Sequence, residues 1–504
     1  MYKIGKYILD EQQTNIVLDE SKHLLVVAGA GSGKTLTILG KIDYLIKEKH
    51  INPKNILCIS FTKEASNSLK NKLKKELNID LNVYTFHKLG LEIIKKYENF
   101  DITDEYTLDN IIEEFFKVDC FNKYNLKNVL KFFELPNKKE YAKFLNNKLK
   151  FNKYLILFKT FIHLFKANDY KLEDFIVFLN KAKSIFNWKN YYKEKAFLKL
   201  TLNIYLKYQS YLKENGEIDF DDMLIKSRKY VERYGFNNDI KYVIIDEFQD
   251  TSKVRFNLIK AILDKTGARL MVVGDDFQSI YRFTGCDLDV FVNFQNYFND
   301  SKIMKIETTY RNSQELITSA GLFIMKNKQQ IKKNLKSDKH IKKPIKIVYY
   351  NNATKSFKNL LTYLNKLNKN NILVIGRNNK DIYKYIDKDF KYDETQLKYL
   401  NHLNMSLRYL TAHTSKGLEE DDTIIINMED SLLGFPSQIE DSKVLRFVSN
   451  KTNTIKYDEE RRLFYVALTR TKNNVYLLVP KNNPSMFIQE LVNDYKNLIE
   501  ILKI

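Results

Sequence analysis

Residues 28–35, AGAGSGKT, follow the apolar run 24–27 and decide the fold of the first part of the chain. They match the phosphate-binding loop pattern G-x-x-x-x-G-K-[ST], except that Ala28 replaces the first glycine. In such a loop, backbone N–H groups and the N-terminus of the following helix surround the phosphates. We therefore expect Lys34 to reach the β- and γ-phosphates of a nucleoside triphosphate and the Thr35 hydroxyl to bind Mg²⁺. The remaining loop residues are Ala28, Gly29, Ala30, Gly31, Ser32 and Gly33.

Short apolar runs recur along the chain, and segments long enough for helices separate them. Such runs predict strands that are buried on both faces of parallel sheets. One set lies in each half of the chain, so we predict an α/β fold with two parallel-sheet cores. The runs are residues 24–27, 56–59, 242–245 and 270–273, then residues 345–349, 372–375, 423–426 and 475–479.

Polar motifs end the predicted strands of the first core, at the edge where open parallel sheets bind ligands. The motif DEFQDT at residues 246–251 brings two adjacent acids. Hydrolysis of a triphosphate needs a metal ion at the γ-phosphate and a group that orients the attacking water. Asp246 is suited to the metal and Glu247 to the water. In GDDFQSIY, residues 274–281, the amide of Gln278 can hydrogen-bond both the γ-phosphate and a water.

Two arginines lie in motifs in or near the second predicted core. Arg311 follows Tyr310 in TTYRNS, and Arg470 lies in ALTRT. Arginine offers a fixed fork of donors that lysine cannot supply to a phosphate. Arginines delivered from a second domain can stabilise transition-state charge when a cleft closes. We therefore expect both to complete the nucleotide site.

The composition limits the class of protein. Lys and Arg number 83 against 62 Asp and Glu, a net charge of +21, which favours a nucleic-acid partner. An AT-rich coding bias also supplies excess lysine, so the charge alone leaves both explanations open. No apolar run approaches the roughly 18 residues that cross a bilayer, and no secretory leader is recognisable, so we expect a cytoplasmic protein without a membrane partner. The three cysteines have no paired spacing, which favours reduced thiols over a disulfide or zinc site.

The texture of the sequence predicts the domain order. Residues 89–204 mix aromatic and aliphatic residues with lysine at helical spacing, which indicates a helical insertion whose aromatic stripes form its core. We assign residues 1–88 and 205–298 to the first core, called 1A. The helical insertion is called 1B, and residues 299–504 form the second core, called 2A.

Together, these motifs resemble those of the UvrD/Rep-like superfamily 1A DNA helicases, in the same order from about residue 9 to residue 471. Within that family, GDDFQSIYRFTGCDL, IETTYRNS and GFPSQIEDSKVL are most similar to the catalytic part of the helicase IV branch. The resemblance implies two RecA-like P-loop NTPase cores that use ATP and Mg²⁺. It also implies 3′ to 5′ movement on single-stranded DNA and on 3′-tailed or forked duplexes. By the same resemblance, Gln13 contacts the adenine edge, Tyr310 stacks on the base and Glu419 contacts the ribose.

The resemblance also implies a set of DNA contacts, because flat side chains stack on bases without sequence preference. The corresponding residues are Phe61, Thr62, Thr85, Phe86, His87, Tyr281, Phe283 and His413. Relatives carry an accessory domain, called 2B, between the motifs that hold Arg311 and Lys416. Only about a hundred residues separate those two positions here, so we predict that 2B is absent or vestigial.

Two further hypotheses remain open. The chain could be an ATP-gated DNA-binding subunit that regulates a partner such as a nuclease in repair or anti-phage defence. RNA as the main substrate is a weaker alternative, since no residue is identified that would contact a 2′-hydroxyl.

Overall fold

The computed structural model describes residues 1–182, 188–449 and 456–504. Within these residues, the strands are, in chain order, β1 (Lys3–Ile4), β2 (Tyr7–Ile8), β3 (His23–Ala28), β4 (Ile56–Ser60), β5 (Val83–Thr85), β6 (Asp101–Ile102), β7 (Glu217–Ile218), β8 (Tyr242–Ile245), β9 (Arg269–Gly274), β10 (Ser301–Ile306), β11 (Ile345–Tyr350), β12 (Asn371–Gly376), β13 (Phe390–Asp393), β14 (Gln396–Tyr399), β15 (Ser406–Thr411), β16 (Asp422–Ile425), β17 (Val475–Pro480) and β18 (Ile499–Ile501).

The α-helices of the same residues are α1 (Glu11–Leu18), α2 (Lys34–Lys47), α3 (Lys63–Leu77), α4 (Phe86–Ile94), α5 (Thr107–Lys117), α6 (Lys123–Phe133), α7 (Lys138–Asn146), α8 (Lys148–Ala167), α9 (Asp174–Lys181), α10 (Trp188–Asn215), α11 (Phe220–Tyr234), α12 (Lys253–Thr266), α13 (Leu288–Val292), α14 (Phe294–Tyr297), α15 (Gln314–Ile324), α16 (Ala353–Lys366), α17 (Asp458–Leu468) and α18 (Met486–Asp494).

The first sheet has the strand order β10-β3-β9-β8-β4-β5, and every pair is parallel. The four apolar runs of the first half form its inner strands, as predicted, and the motifs that follow them converge on its carboxyl edge. The sequence analysis missed β10, which pairs with β3 through all six of its residues. The first sheet therefore continues past residue 298, where we had ended the first core.

The second sheet has the order β13-β14-β15-β12-β16-β17-β11-β18. Its strands β15, β12, β16, β17, β11 and β18 run parallel, while β13 and β14 form an antiparallel extension. The prediction of two parallel α/β cores is confirmed. Between the Arg311 and Lys416 motifs, helices α15 and α16 and strands β11 to β15 all belong to this core. The absence of a 2B domain remains a prediction.

Helices α5 to α10 pack around an apolar core rich in phenylalanine, including the fully buried Phe116, Phe158 and Phe197. The aromatic stripes are thus core side chains, as expected. Helix α10 continues beyond residue 204 to Asn215, and Leu212 is buried in the same core. These helices are called the helical region below.

Two general observations accompany the fold. No helix of the described residues has the length and hydropathy needed to cross a membrane. The three cysteines, Cys58, Cys120 and Cys286, are buried free thiols.

Candidate nucleotide and single-strand site

The loop after β3 has the geometry of a phosphate cradle. Gly31 and Gly33 adopt φ angles of 71° and 81°, in the left-handed region that glycine adopts without strain. The space around them is also occupied: a Cβ on Gly33 would lie 2.6 Å from Gln13 Nε2, and one on Gly31 would lie 2.5 Å from Arg311 Cβ. Helix α2 begins at Lys34, directly after the loop, so its free N–H groups face this cradle.

Lys34 and Glu247 form an ion pair across the carboxyl edge of the first sheet. Lys34 Nζ donates to Glu247 Oε1 at 2.9 Å, and Gln249 Nε2 donates to Glu247 Oε2 at 2.6 Å. Burial alone would raise the pKa of Glu247, but the charges of Lys34 and Lys416 outweigh it and lower the pKa to about 2. Glu247 is therefore ionised at neutral pH, and its carboxylate can accept a hydrogen bond from a bound water.

Asp246 lies beside Glu247 and is held differently. Its Oδ1 accepts from the Glu247 backbone N–H at 2.9 Å. Burial and the charge of Glu247 raise the pKa of Asp246 to about 6. A divalent cation would reverse this effect, because its positive charge favours the ionised carboxylate. Carboxylate and hydroxyl oxygens are the ligands that Mg²⁺ prefers, and an Mg²⁺ site at Asp246 and Thr35 stays a prediction.

Gln278 connects the two cores. Its Nε2 donates to Asp275 Oδ2 at 2.6 Å, and its Oε1 accepts from Arg470 Nη2 at 3.3 Å. Arg470 is 1% exposed, and its Nε donates to the carbonyl of Val466 at 2.9 Å. Burial and the neighbouring Arg311 lower the pKa of Arg470. An anionic ligand in the cleft would stabilise the charged guanidinium and so raise the pKa of Arg470 again.

The segment that carries Tyr310 and Arg311 lies directly on the phosphate loop. Thr309 Oγ1 donates to the carbonyl of Ala30 at 2.6 Å, and Tyr310 N donates to the carbonyl of Gly31 at 3.0 Å. Arg311 Nε donates to Glu419 Oε2 at 2.5 Å. The predicted ribose contact and one predicted arginine finger are therefore paired with each other.

A cavity of about 430 Å³ unites these groups. Its wall includes Lys34, Thr35 and Glu247 from the first core and Arg311 and Arg470 beyond it. Gly31, Ser32, Gly33, Gln278 and Glu419 also line it. The structure thus brings most of the predicted nucleotide residues together around one space.

Two predicted base contacts do not line this cavity. Gln13 is buried, with Oε1 accepting from Asp10 N at 3.1 Å and Nε2 donating to the carbonyl of Ser32 at 3.2 Å. The nitrogen end of its amide thus braces the phosphate loop, while the oxygen end caps the start of α1. Tyr310 is 62% exposed, and its hydroxyl donates to Asp10 Oδ2 at 2.9 Å.

The sequence analysis missed an ion pair between Lys416 and Asp250. Lys416 Nζ pairs with Asp250 Oδ2, donates to the carbonyl of Gln278 at 2.8 Å and lies 4.9 Å from the centroid of the Tyr281 ring. Burial raises the pKa of Asp250 to about 6 against the opposing effect of Lys416. Asp250 belongs to DEFQDT, and Lys416 belongs to HTSKGLEE at residues 413–420, the motif that also holds Glu419. Only their contact shows that they form an ion pair between the two cores.

Four of the predicted DNA-contact residues form one aromatic group that spans both cores. The rings of Phe61 and Tyr281 are stacked, with centroids 6.0 Å apart and planes at 11°. Phe283 lies 6.1 Å from Tyr281 and 5.6 Å from His413. Phe283 is 58% exposed, so its ring offers a free stacking surface.

The other predicted DNA contacts have structural partners. Thr62 Oγ1 and Thr85 Oγ1 accept from backbone N–H groups and cap helices α3 and α4. Phe86 is 2% exposed and packs in the core of the first sheet, so its ring is a core side chain and not a stacking surface. Burial lowers the pKa of His87 to about 4, and its ring lies 5.0 Å from that of Phe220.

Two family models match the chain. The UvrD/REP helicase N-terminal domain matches residues 9–299, more than half of the chain, and the UvrD-like helicase C-terminal domain matches residues 392–482. The chain belongs to the UvrD/REP helicase family.

Curated relatives in this family share moderate identity with the chain. DNA helicase IV of Escherichia coli K12 is 26% identical over 96% of the chain and 70% of its own length. A probable DNA helicase of Mycoplasma pneumoniae is 25% identical over 94% of the chain and 83% of its own length. The ATP-dependent DNA helicase Rep of Buchnera aphidicola from Acyrthosiphon pisum is 31% identical over 65% of the chain, which spans 46% of that relative.

Apolar and charged side chains complete the wall of the nucleotide cavity. Leu36 follows the loop threonine and lines the cavity with Tyr7, Leu39 and Lys72. Near the aromatic group, Arg282 forms an ion pair of 3.0 Å with Glu459.

Proposed function

We propose that this chain is an ATP-dependent translocase and helicase that moves 3′ to 5′ on single-stranded DNA. One observation carries the proposal: Gln278, at the nucleotide cavity, and Tyr281, in the aromatic group, stand three residues apart on one turn. A change at the phosphates therefore reaches the stacking surface through a few backbone bonds. The polarity follows from family membership and the relatives named as DNA helicases.

The residues of the cavity have separate roles in hydrolysis. Glu247 orients the attacking water and accepts its proton after Lys34 has turned to the phosphates, because loss of that ion pair makes the ionised carboxylate a stronger base. Arg311 and Arg470 stabilise the charge that develops on the γ-phosphate. Mg²⁺, held by Thr35 and Asp246, would neutralise charge on the β- and γ-phosphate oxygens. Lys34 leaves Glu247 and binds those oxygens when ATP enters.

The domain assignment belongs to the same proposal. The first core binds ATP, the second core delivers the arginines, and the helical region flanks the single strand. The substrates are single-stranded DNA and 3′-tailed or forked duplexes. A cytoplasmic location, expected from the sequence, fits a protein that uses ATP and DNA.

The direct test is ATP hydrolysis measured with and without single-stranded DNA. We expect the strand to stimulate hydrolysis, and an unstimulated rate would refute the motor function. A duplex with a 3′ tail should be unwound and one with a 5′ tail should not. Preferential unwinding of the 5′-tailed duplex would refute the polarity.

A second function is a DNA-binding subunit whose ATP site regulates a partner nuclease. Residues 443–448 favour this function, because they pack into the core of the helical region and tie it to the second core. Such a contact could pass the nucleotide state to a bound protein. Purification of the protein from its native cell, followed by analysis of its mass, would reveal a stable complex. A monomer that unwinds DNA unaided would exclude the regulatory role as the main one.

A further inference from the structure

Lys333 is a buried cation among the side chains behind the nucleotide cavity. Its side chain is 0% exposed, pairs with Asp275 Oδ1 and lies 2.6 Å from Asp276 Oδ1. Its Nζ is also 3.6 Å from the centroid of the Phe277 ring. Both carboxyl side chains are fully buried. Buried carboxylates require a compensating cation or hydrogen-bond donors to stay charged, and Lys333 supplies the cation here.

The backbone around Lys333 holds it in this position. Residues 330–336 follow helix α15, which belongs to the second core, but they contact the first core. Gln330 Nε2 and Ile331 N both donate to Asp276 Oδ2, at 2.7 Å and 2.8 Å. The lysine is therefore fixed against the motif that ends β9.

Asp275 passes the effect of Lys333 to the cleft. An amide has one donor end and one acceptor end, whereas an ionised carboxylate only accepts. Asp275 Oδ2 accepts from the amide nitrogen of Gln278, which leaves the amide oxygen to face Arg470. Without Lys333, the Asp275 side chain would be free to leave this position and would no longer hold the Gln278 nitrogen. The amide could then turn and present its NH₂ group to the Arg470 guanidinium, where two donors oppose each other.

We propose that Lys333 is a positioning residue for ATP hydrolysis, which holds the Asp275 carboxyl group in place and thereby fixes the amide of Gln278 toward Arg470. The inference rests on the proposed ATPase function and extends it to a residue that does not line the nucleotide cavity. Asp275 is the link between the two, because it hydrogen-bonds both Lys333 and Gln278.

Other charged or titratable groups near Asp275 do not replace Lys333. They are Asp276 on the same turn, Lys34 on α2, and Tyr465 and Arg470 from the second core. Lys34 is paired with Glu247. Arg470 donates to Gln278, whose nitrogen end is the one that meets Asp275. Lys333 is thus the cation in direct contact with Asp275 among the described residues.

The test is Lys333→Met, which removes the charge and keeps the length of the side chain. We measure kcat and the KM for ATP at neutral pH with saturating single-stranded DNA. We expect kcat to fall about 10- to 100-fold through the misplaced amide, while KM stays within about twofold. A fall in kcat at constant KM places the defect in hydrolysis and not in ATP binding.

Lys339→Met is the matched control. Lys339 follows on the same segment, but its Nζ donates to the carbonyl of Lys472 at 2.7 Å, outside the network of Asp275. This variant should keep the wild-type kcat and the wild-type KM for ATP.

A Lys333→Met protein with the wild-type kcat, or with a KM for ATP that rises as kcat falls, would overturn the inference. If that variant does not fold, Lys333→Met combined with Asp276→Asn removes one charge of each sign. The double variant must then show the same low kcat with an unchanged KM, and any other result contradicts the proposal. A wild type without DNA-stimulated hydrolysis would instead refute the proposed function, so the two failures can be told apart.

Discussion

Two of the contacts that join the second core to the rest of the molecule differ in their chemistry. At the nucleotide cleft, Arg470 donates to Gln278 Oε1 and Lys416 donates to the Gln278 carbonyl, so this contact includes polar groups. The other contact is apolar. Residues 443–448, which we call the strap, insert Phe447 and Val448 into the core of the helical region. Polar contacts can be exchanged for phosphate oxygens, whereas buried apolar contacts cannot. We therefore expect the cleft to respond to nucleotide and the strap to carry that response to the helical region.

The strap has specific anchors in addition to its apolar side chains. Asn168 Nδ2 donates to the carbonyl of Val448 at 2.9 Å, and Arg446 pairs with Glu194 at 2.7 Å. The ring of Phe447 lies 5.9 Å from that of Phe178. These contacts fix the strap to the end of α8 and to helices α9 and α10.

The largest effect is expected on the cleft side, from Glu247→Gln. The amide keeps the size of the side chain but cannot accept the proton of the attacking water, so kcat should fall by about 10²- to 10⁴-fold. Binding of a fluorescent ATP analogue should persist. Glu420→Gln, whose parent side chain pairs with Arg408 outside the cavity, is the control. Hydrolysis by Glu247→Gln at the wild-type rate would show that another group acts as the base.

A second substitution, Phe447→Ala, breaks the strap and leaves the cleft intact. Truncating a buried phenylalanine costs about 3–5 kcal/mol, and this loss should appear as faster hydrogen exchange in α9 and α10. Hydrolysis without DNA should stay near the wild-type rate, while its stimulation by DNA should fall. The exposed Leu432 of the same core provides the control Leu432→Ala. Unchanged exchange in both helices would mean that the strap does not tie the two regions.

The smallest effect is expected at the turn between the two contacts, from Phe283→Ala. The Phe283 ring is exposed, so its removal leaves no cavity in a buried core. Its neighbour Arg282 forms an ion pair with Asp441, which lies just before the strap. Loss of one stacking ring should weaken the binding of oligo-dT by about 1–3 kcal/mol in a fluorescence anisotropy titration. ATP binding without DNA should not change. Tyr383→Ala removes an exposed ring elsewhere on the second core and should bind DNA like the wild type. Equal affinities for all three proteins would remove Phe283 from the DNA surface.

The sequence predicted four strands in each sheet, β3, β4, β8 and β9 and then β11, β12, β16 and β17, because each contains a mainly apolar run. It missed β10 and β15, in which basic residues separate shorter apolar stretches. β10 lies at the edge of its sheet, where one side of the strand faces solvent and tolerates charge. A rule based on continuous apolar runs cannot detect such strands.

The candidate site was predictable where its chemistry lies in a short motif. Lys34, Glu247 and Arg470 follow from local patterns, and the structure brings all three to one cavity. Lys416 and Lys333 did not follow, because their roles depend on partners far away in the chain. In a chain with 83 basic residues, one more lysine carries no local information.

The central claim is that an arginine of the second core completes the ATP site of the first. Single-turnover phosphate release by Arg470→Lys, with saturating single-stranded DNA, tests it most directly. Arg269→Lys, at the opposite end of β9, is the control. We predict that Arg470→Lys binds ATP but releases phosphate at least about 100-fold more slowly, because lysine lacks the fork that spans Gln278 and a phosphate oxygen. Release at the rate of the wild type and of Arg269→Lys would contradict the account.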